Sequence, residues 1–160
     1  MHCYVKRLQD SVGTWGGNDS VRFASKNECD YILWNKNTHN SYALELKTTQ
    51  GGSLTFWRGD FEDKTKKQSF MIKKNQIQGL ATMSDYDIVA GLIINFRSED
   101  NNTYFIPIKN FIKVTGELDK KSINEKDILE LCEYTKIDNK KLKTNHRYDV
   151  GKFLEETRLY

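Results

Sequence analysis

An α/β domain with a mixed β-sheet flanked by helices is what this sequence predicts, and three observations predict it. Residues 41–49, Ser41-Tyr-Ala-Leu-Glu-Leu-Lys47-Thr-Thr49, alternate in polarity with the two-residue period of a strand. Residues 72–83 repeat Ile72, Asn75, Gln76, Leu80 and Met83 at three- and four-residue steps, with Ile77 and Ala81 widening the stripe, which is the period of a helix. Residues 88–96, Ile88-Val-Ala-Gly-Leu-Ile-Ile-Asn-Phe96, form a continuous apolar run, the composition of a central strand covered on both faces. Strand, helix and strand in that order make a β-α-β crossover, which is right-handed in nearly all folds.

The remaining elements follow in chain order. Residues 1–29 carry weak signals: Tyr4-Val-Lys-Arg-Leu8 suits a short strand or a short helix, and Trp15-Gly-Gly-Asn-Asp19 reads as loop. A strand is expected over 30–34, joined to 41–49 by the polar, turn-rich segment Asn35-Lys-Asn-Thr-His-Asn40. Gln50-Gly-Gly52 ends the second strand, residues 53–57 make another short extended piece, and Arg58 to Ser69 is charged and exposed. After the helix and its breaker, Ser84–Asp87, come the apolar strand, a turn over Ser98–Asn102, and a strand over 103–107 whose Pro107 marks an edge or a strand end. Helices are expected at 124–135, with Ser122 as cap and Glu125 placed for a capping box, and at 149–157.

Composition bounds the function. A chain of 160 residues and 18.7 kDa is one domain, long enough to bury roughly 70% of its unfolded surface. A single proline and the absence of low-complexity runs or repeats argue against a disordered or solenoid chain. Three cysteines, Cys3, Cys29 and Cys132, form no C-x-x-C pair and leave an odd thiol, which suits a reducing cytoplasm. His2, His39 and His146 lack zinc-ligand spacing. No apolar stretch has the length of a signal peptide or a membrane span, so a membrane partner is not expected. The net charge of +3 proves no polyanion partner by itself. The lysines are nonetheless clustered, at Lys64, Lys66, Lys67, Lys73 and Lys74 and again at Lys140, Lys141, Lys143 and Arg147, as a phosphate-binding surface would have them.

The chemistry is concentrated in Glu45 and Lys47. Along the strand, Ala43, Glu45 and Lys47 point one way, and the apolar set Tyr42, Leu44 and Leu46 points the other, towards the core. Asp30, in Cys29-Asp-Tyr-Ile-Leu33, stands one strand and a turn upstream. On a neighbouring antiparallel strand it would bring a second carboxylate to the same point. Oxygen ligands of that kind suit a hard cation such as Mg²⁺. A cation between two acids with a lysine beside it is equipment for phosphodiester hydrolysis. An exposed strand face with one Glu and one Lys is common; the preceding acid and the hairpin between them raise the pair above that background.

Laid out in order, the motifs resemble the RecU-like Holliday junction resolvases of the PD-(D/E)xK nuclease superfamily, of phage or Gram-positive type. The carriers are Arg22-Phe-Ala-Ser-Lys-Asn-Glu-Cys-Asp-Tyr-Ile-Leu33, Leu44-Glu-Leu-Lys-Thr48, Gly52-Ser-Leu-Thr-Phe56, Lys74-Asn-Gln-Ile-Gln-Gly-Leu80, Gly91-Leu-Ile-Ile-Asn-Phe-Arg97 and Arg147-Tyr-Asp-Val. The resemblance implies a restriction-endonuclease-like sheet in a single nuclease-like domain over 1–160. It also implies Asp30, Glu45 and the Leu46 carbonyl as ligands of Mg²⁺ (or Mn²⁺), Lys47 as the group that orients water and stabilises charge, and Gln76 as a further site residue. Thr48, Thr49 and Ser53, with the two lysine clusters, would contact DNA. The expected activity is resolution of branched DNA by a homodimer in the cytoplasm of a bacterial host. The family's N-terminal helix, with its glutamate, has no counterpart before the motifs; Asp10, Asp19 and Glu28 are the upstream acids. Trp15, Trp57 and Phe61 are aromatic residues for an interface, for a junction or for the core. Two alternatives stay open: a non-cleaving DNA-binding protein, and a restriction- or repair-type nuclease on the same scaffold.

Overall fold

The hairpin at Asn35–Asn40 organises the first half of the sheet. In the computed structural model, which describes residues 3–9, 27–61, 69–98 and 100–157, β2 (Tyr31–Asn35) and β3 (Ser41–Thr49) pair antiparallel with Tyr31 opposite Leu44 and Trp34 opposite Ser41. The buried Asn35 builds the turn: its side-chain oxygen accepts from the Asn37 N–H at 3.0 Å, and its carbonyl accepts from the His39 N–H at 2.9 Å. His39 takes the left-handed conformation that closes it (φ 59°). Tyr4-Val-Lys-Arg settles as a strand, β1 (Cys3–Arg7), on the outer edge of β2.

The crossover is as expected. From β3 the chain passes through the short β4 (Ser53–Thr55) and a 3₁₀ turn at Gly59–Phe61 into helix α1 (Lys74–Asp85), then returns as β5 (Val89–Phe96). β5 lies parallel to β3, with Glu45 opposite Leu92 and Lys47 opposite Ile94. β6 (Asn102–Pro107) and β8 (Thr135–Lys136) complete a mixed sheet of order β1-β2-β3-β5-β6-β8 among the described residues. Pro107 ends its strand rather than lying on an edge, since β6 is paired on both sides. It then starts a helix the sequence reading left unassigned, α2 (Ile108–Glu117), which buries Ile108, Phe111 and Val114.

The expected helix at 124–135 is shorter. Ser122–Asn124 forms β7, paired with β4, and α3 covers Glu125–Leu131. The cap belongs to Asn124, which accepts from the Asp127 N–H, while Asp127 accepts from the Asn124 N–H; Ser122 and Glu125 do not form it. A hairpin absent from the sequence reading, β9 (Asn139–Lys141) with β10 (His146–Tyr148), precedes α4 (Val150–Glu156).

Two cores cover the sheet. On one face Ala43, Ala90, Leu92 and Ile94 pack with Ile77 and Leu80 of α1, Phe111 of α2 and Ile128 of α3. On the other, Tyr42, Leu44, Val89 and Phe105 pack with Phe153 and Leu154 of α4. Each of the larger aliphatic and Phe side chains among these contributes about 1.5–3 kcal/mol. This doubly covered, mixed-sheet architecture is the fold class the sequence predicts.

Candidate active site

The β2–β3 register brings the two acids together. Tyr31 is the first residue of β2 and ends the ladder on that side, and the Asp30 N–H still reaches the Leu44 carbonyl at 3.0 Å. Beyond that point β3 runs on without β2. The next N–H on that edge, that of Leu46, donates to Asp30 Oδ2 at 2.8 Å. The N–H and C=O of a strand residue face the same edge, so the Leu46 carbonyl also opens on the side that Asp30 occupies. Asp30 thus substitutes for a strand partner and closes the ladder with a carboxylate.

Glu45 lies on the other side of the β3 backbone, beneath α1. It is 3% exposed, which corrects the expectation that its face is a polar surface and that Leu46 is buried. Leu46 is 43% exposed. The apolar–polar alternation is real, but α1 covers Ala43 and Glu45, whereas α4 reaches only as far as Leu44 on the opposite face. Burial penalises the Glu45 charge, and two donors oppose that penalty. Lys47 Nζ lies 2.8 Å from Glu45 Oε1, and the Gln76 amide donates to the same oxygen. Gln76 has no freedom to flip, because its Oε1 accepts from the Lys73 backbone N–H at 3.0 Å, a group that can only donate. The N-terminal turn of α1 therefore aims a donor at Glu45. Desolvation still dominates and holds the Glu45 carboxyl above the usual range, with the Asp30 charge adding to the rise and Lys47 and Lys73 opposing it. Cys29, buried beside this pair, is pushed up to about 11, first by desolvation and then by the charges of Glu45, Asp30 and Glu28.

Two carboxylates and a backbone carbonyl are hard oxygen donors. Mg²⁺, which keeps several waters and binds through one or two carboxylates, fits such a set. Among the described residues no group of three or more His, Cys, Asp or Glu side chains is placed to hold a metal. Glu28 is exposed and lies against α1: a Cβ on Gly79 would stand 2.4 Å from the Glu28 Cβ. Asp10, Asp19 and Trp15 lie outside the described residues.

The other predicted contacts separate. Thr48 and Ser53 are exposed near the end of β3, but Thr49 is buried, its hydroxyl donating to the Ser53 carbonyl and accepting from the Gly51 N–H. Lys73 and Lys74 stand at the start of α1, close to the acids; Lys74 Nζ lies 4.9 Å from the centre of the Trp57 ring, which packs against the core. Lys64, Lys66 and Lys67 lie outside the described residues, as does the Phe61 side chain. Lys140, Lys141, Lys143 and Arg147 are exposed on the β9–β10 hairpin.

The opposite face of β3 holds a feature the sequence reading missed. Leu46, Lys47 and Thr48 line one side of an open groove of about 1010 Å³, with Tyr31, Arg97, Asn101, His146 and Tyr148 among its other walls. Arg97 immediately follows β5, at the carboxyl ends of the parallel pair β3 and β5, where ligands bind in open α/β sheets. That signal was legible.

No family model matches the chain. It is 27% identical over 143 residues to the SPbeta prophage-derived uncharacterized protein YotM of Bacillus subtilis (strain 168), covering 82% of this chain and 67% of that protein. Among solved structures it is similar to Hjc, a Holliday junction resolvase of Archaeoglobus fulgidus, with a TM-score of 0.40 and 14% identity over 78% of this chain and 77% of that one. No described helix is long and apolar enough to cross a membrane.

Proposed function

We propose that this chain is a Mg²⁺-dependent endonuclease that cuts branched DNA, resolving four-way junctions as a homodimer by phosphodiester hydrolysis. The observation that carries the reading is one set of contacts: Glu45, buried, is gripped by Lys47 and Gln76, while Asp30 meets the same strand from its open edge at Leu46. Burying a carboxylate that merely stabilises a fold is poor economy, since a hydrophobic residue of similar size does as well. A buried carboxylate gripped by a fixed amide and a lysine is positioned for chemistry.

In this reading Asp30, Glu45 and the Leu46 carbonyl hold the cation. When bound, it supplies Lewis-acid neutralisation of the phosphate and lowers the pKa of a water. Lys47 offers its ammonium protons to the attacking water or to a phosphate oxygen as negative charge accumulates. Gln76 keeps Glu45 in place through the α1 backbone. Thr48 and Ser53, with Lys73 and Lys74, are placed to meet the DNA backbone. The prophage relative fits a phage-encoded enzyme working in the cytoplasm of a bacterial host.

One observation favours a second reading, a DNA-binding protein that does not cut: no third acidic, His or Cys ligand joins the pair among the described residues. Incubating the purified chain with four-way junction, flap and linear duplex substrates, in Mg²⁺, Mn²⁺ or EDTA, separates the readings. Junction cleavage with either metal, absent in EDTA and in Glu45→Ala, is the expected result. Cleavage that survives Glu45→Ala in pure protein, or wild-type protein that cuts none of the substrates, would contradict it.

A further inference from the structure

The groove behind β3 is a concavity with an unusual charge composition. Among the described residues no Asp or Glu lines the groove, whereas Arg97 does; Lys47 borders it too, with its ammonium engaged by Glu45. Its far wall is the β9–β10 hairpin, which turns His146 and Tyr148 to the groove and, by strand alternation, Arg147 and its cross-strand partner Lys140 to the hairpin's other face, with Lys141 opposite His146. Like charges directly opposite on a two-stranded ribbon oppose its formation. No described acid forms an ion pair with Lys140, Lys141 or Arg147. The hairpin therefore carries uncompensated positive charge beside the groove, with Arg97 inside it.

The hairpin is nevertheless fixed in place. Asn101, at the β5–β6 turn with φ 47°, donates through its side chain to the Tyr148 hydroxyl at 3.0 Å, and its carbonyl accepts from Asn139 at 3.1 Å. Asn95 on the groove floor donates to Thr103 Oγ1 at 2.8 Å and to Asn101 Oδ1 at 3.1 Å, which holds the turn from below. Tyr148, 38% exposed, therefore presents a ring whose position is set before anything binds. Tyr31 lines the same space.

We infer that this groove takes an unpaired strand of nucleic acid, with bases stacking on Tyr148 and Tyr31 and phosphates drawn by Arg97 and the cationic hairpin. The inference deepens the nuclease reading and rests on it for its biological sense, because the groove shares Lys47 and Thr48 with the strand that bears Glu45. A strand leaving the acidic pair enters the groove by crossing β3. Aromatic faces inside a concavity stack only on bases that are not already paired, and a positively charged channel with such faces is how single strands are held without sequence preference. A duplex, with its bases enclosed, gains nothing from the rings.

Fluorescence anisotropy in EDTA, where cleavage plays no part, tests it with a labelled twelve-nucleotide oligothymidine and a blunt duplex of equal length. The wild-type chain is expected to bind the single strand more tightly than the duplex, with affinity falling as salt rises. Tyr148→Ala should weaken single-strand binding at least about fivefold, and Tyr148→Phe, which keeps the ring but loses the Asn101 bond, should weaken it much less. Arg97→Ala should weaken single-strand binding and flatten its salt dependence. Single-strand binding unchanged in Tyr148→Ala would overturn the inference. Should that variant fail to fold, photocrosslinking of an iodouracil oligonucleotide to the wild-type chain decides: crosslinks at Tyr148, Tyr31 or His146 support it and crosslinks elsewhere overturn it. Tyr148-dependent binding by a chain that cuts nothing would remove the nuclease reading and leave the groove. Metal-dependent cutting with Tyr148-independent binding would do the reverse.

Discussion

The two faces of β3 carry opposite burdens. Towards α1, Glu45 and Lys47 are paired within the packed face, and the Gln76 amide that meets Glu45 is fixed by the α1 backbone. Towards α4, Leu46 and Thr48 open onto a wide groove with aromatic and cationic walls. The sheet register makes both, because Glu45 shares a row with Leu92 and Leu46 shares one with Ile93. The lesson is that a strand of strict two-residue period can serve chemistry on one side and binding on the other. Which side is buried depends on where the covering helices stop, not on the side chains alone.

The sharpest way to break the comparison is to remove Glu45. Glu45→Ala should lower junction cleavage by more than the roughly 100-fold that losing an outer-shell support costs, measured as single-turnover rates in Mg²⁺. Oligothymidine binding on the other face should persist. Next comes Lys47→Ala. It leaves Glu45 with the Gln76 amide as its donor among the described residues and should cost about 1–3 kcal/mol by urea denaturation as well as cleavage. A stable, active Lys47→Ala variant would mean the pair is ornamental.

Gly79→Ala probes the contact that seats the Asp30 loop. The new methyl would stand 2.4 Å from the Glu28 Cβ, so residues 27–30 must shift. The expected net loss is up to about 2 kcal/mol, overpacking of about 1–3 set against the roughly 1 kcal/mol of helix propensity gained. Cleavage should fall too, because Asp30 moves with the loop.

The smallest effect is in pH. Glu45 has a folded-state pKa raised above its unfolded value, so the native state binds more protons than the unfolded one as the carboxyl titrates. Its contribution is fully present below the unfolded value and is lost as pH rises through the folded one. In EDTA, melting temperature plotted against pH from 4 to 8 should therefore decline more for wild type than for Glu45→Gln. A divalent cation should reverse the difference, because it binds the ionised form.

Much of this was legible in the sequence. β3 was read to its bounds because Gln50-Gly-Gly52 stops it and the polarity alternates cleanly, and Asp30 fell beside it because a polar turn separates two apolar runs. Gln76 came from the family resemblance, and its α1 position supplies the reason. The burial of Glu45 was not legible, since a polar residue on a polar-looking row gives no sign of the helix above it. α2 was missed although Ile108, Phe111 and Val114 recur at helical steps, because the helix starts at the proline that ends β6 with no intervening loop. The β9–β10 hairpin left no signal at all. Its strands are Asn, Lys, His, Arg and Tyr, with no apolar alternation, and their register is held by Asn101 from a distant turn.

Whether Asp30 and Glu45 serve one ion is tested most directly by calorimetric titration of Mn²⁺ into wild type, Asp30→Asn, Glu45→Gln and the double variant. A shared site predicts at least about tenfold weaker binding in each single variant, and a double variant little worse than the weaker single. Wild-type affinity in either single variant, or two losses that simply add, would contradict it.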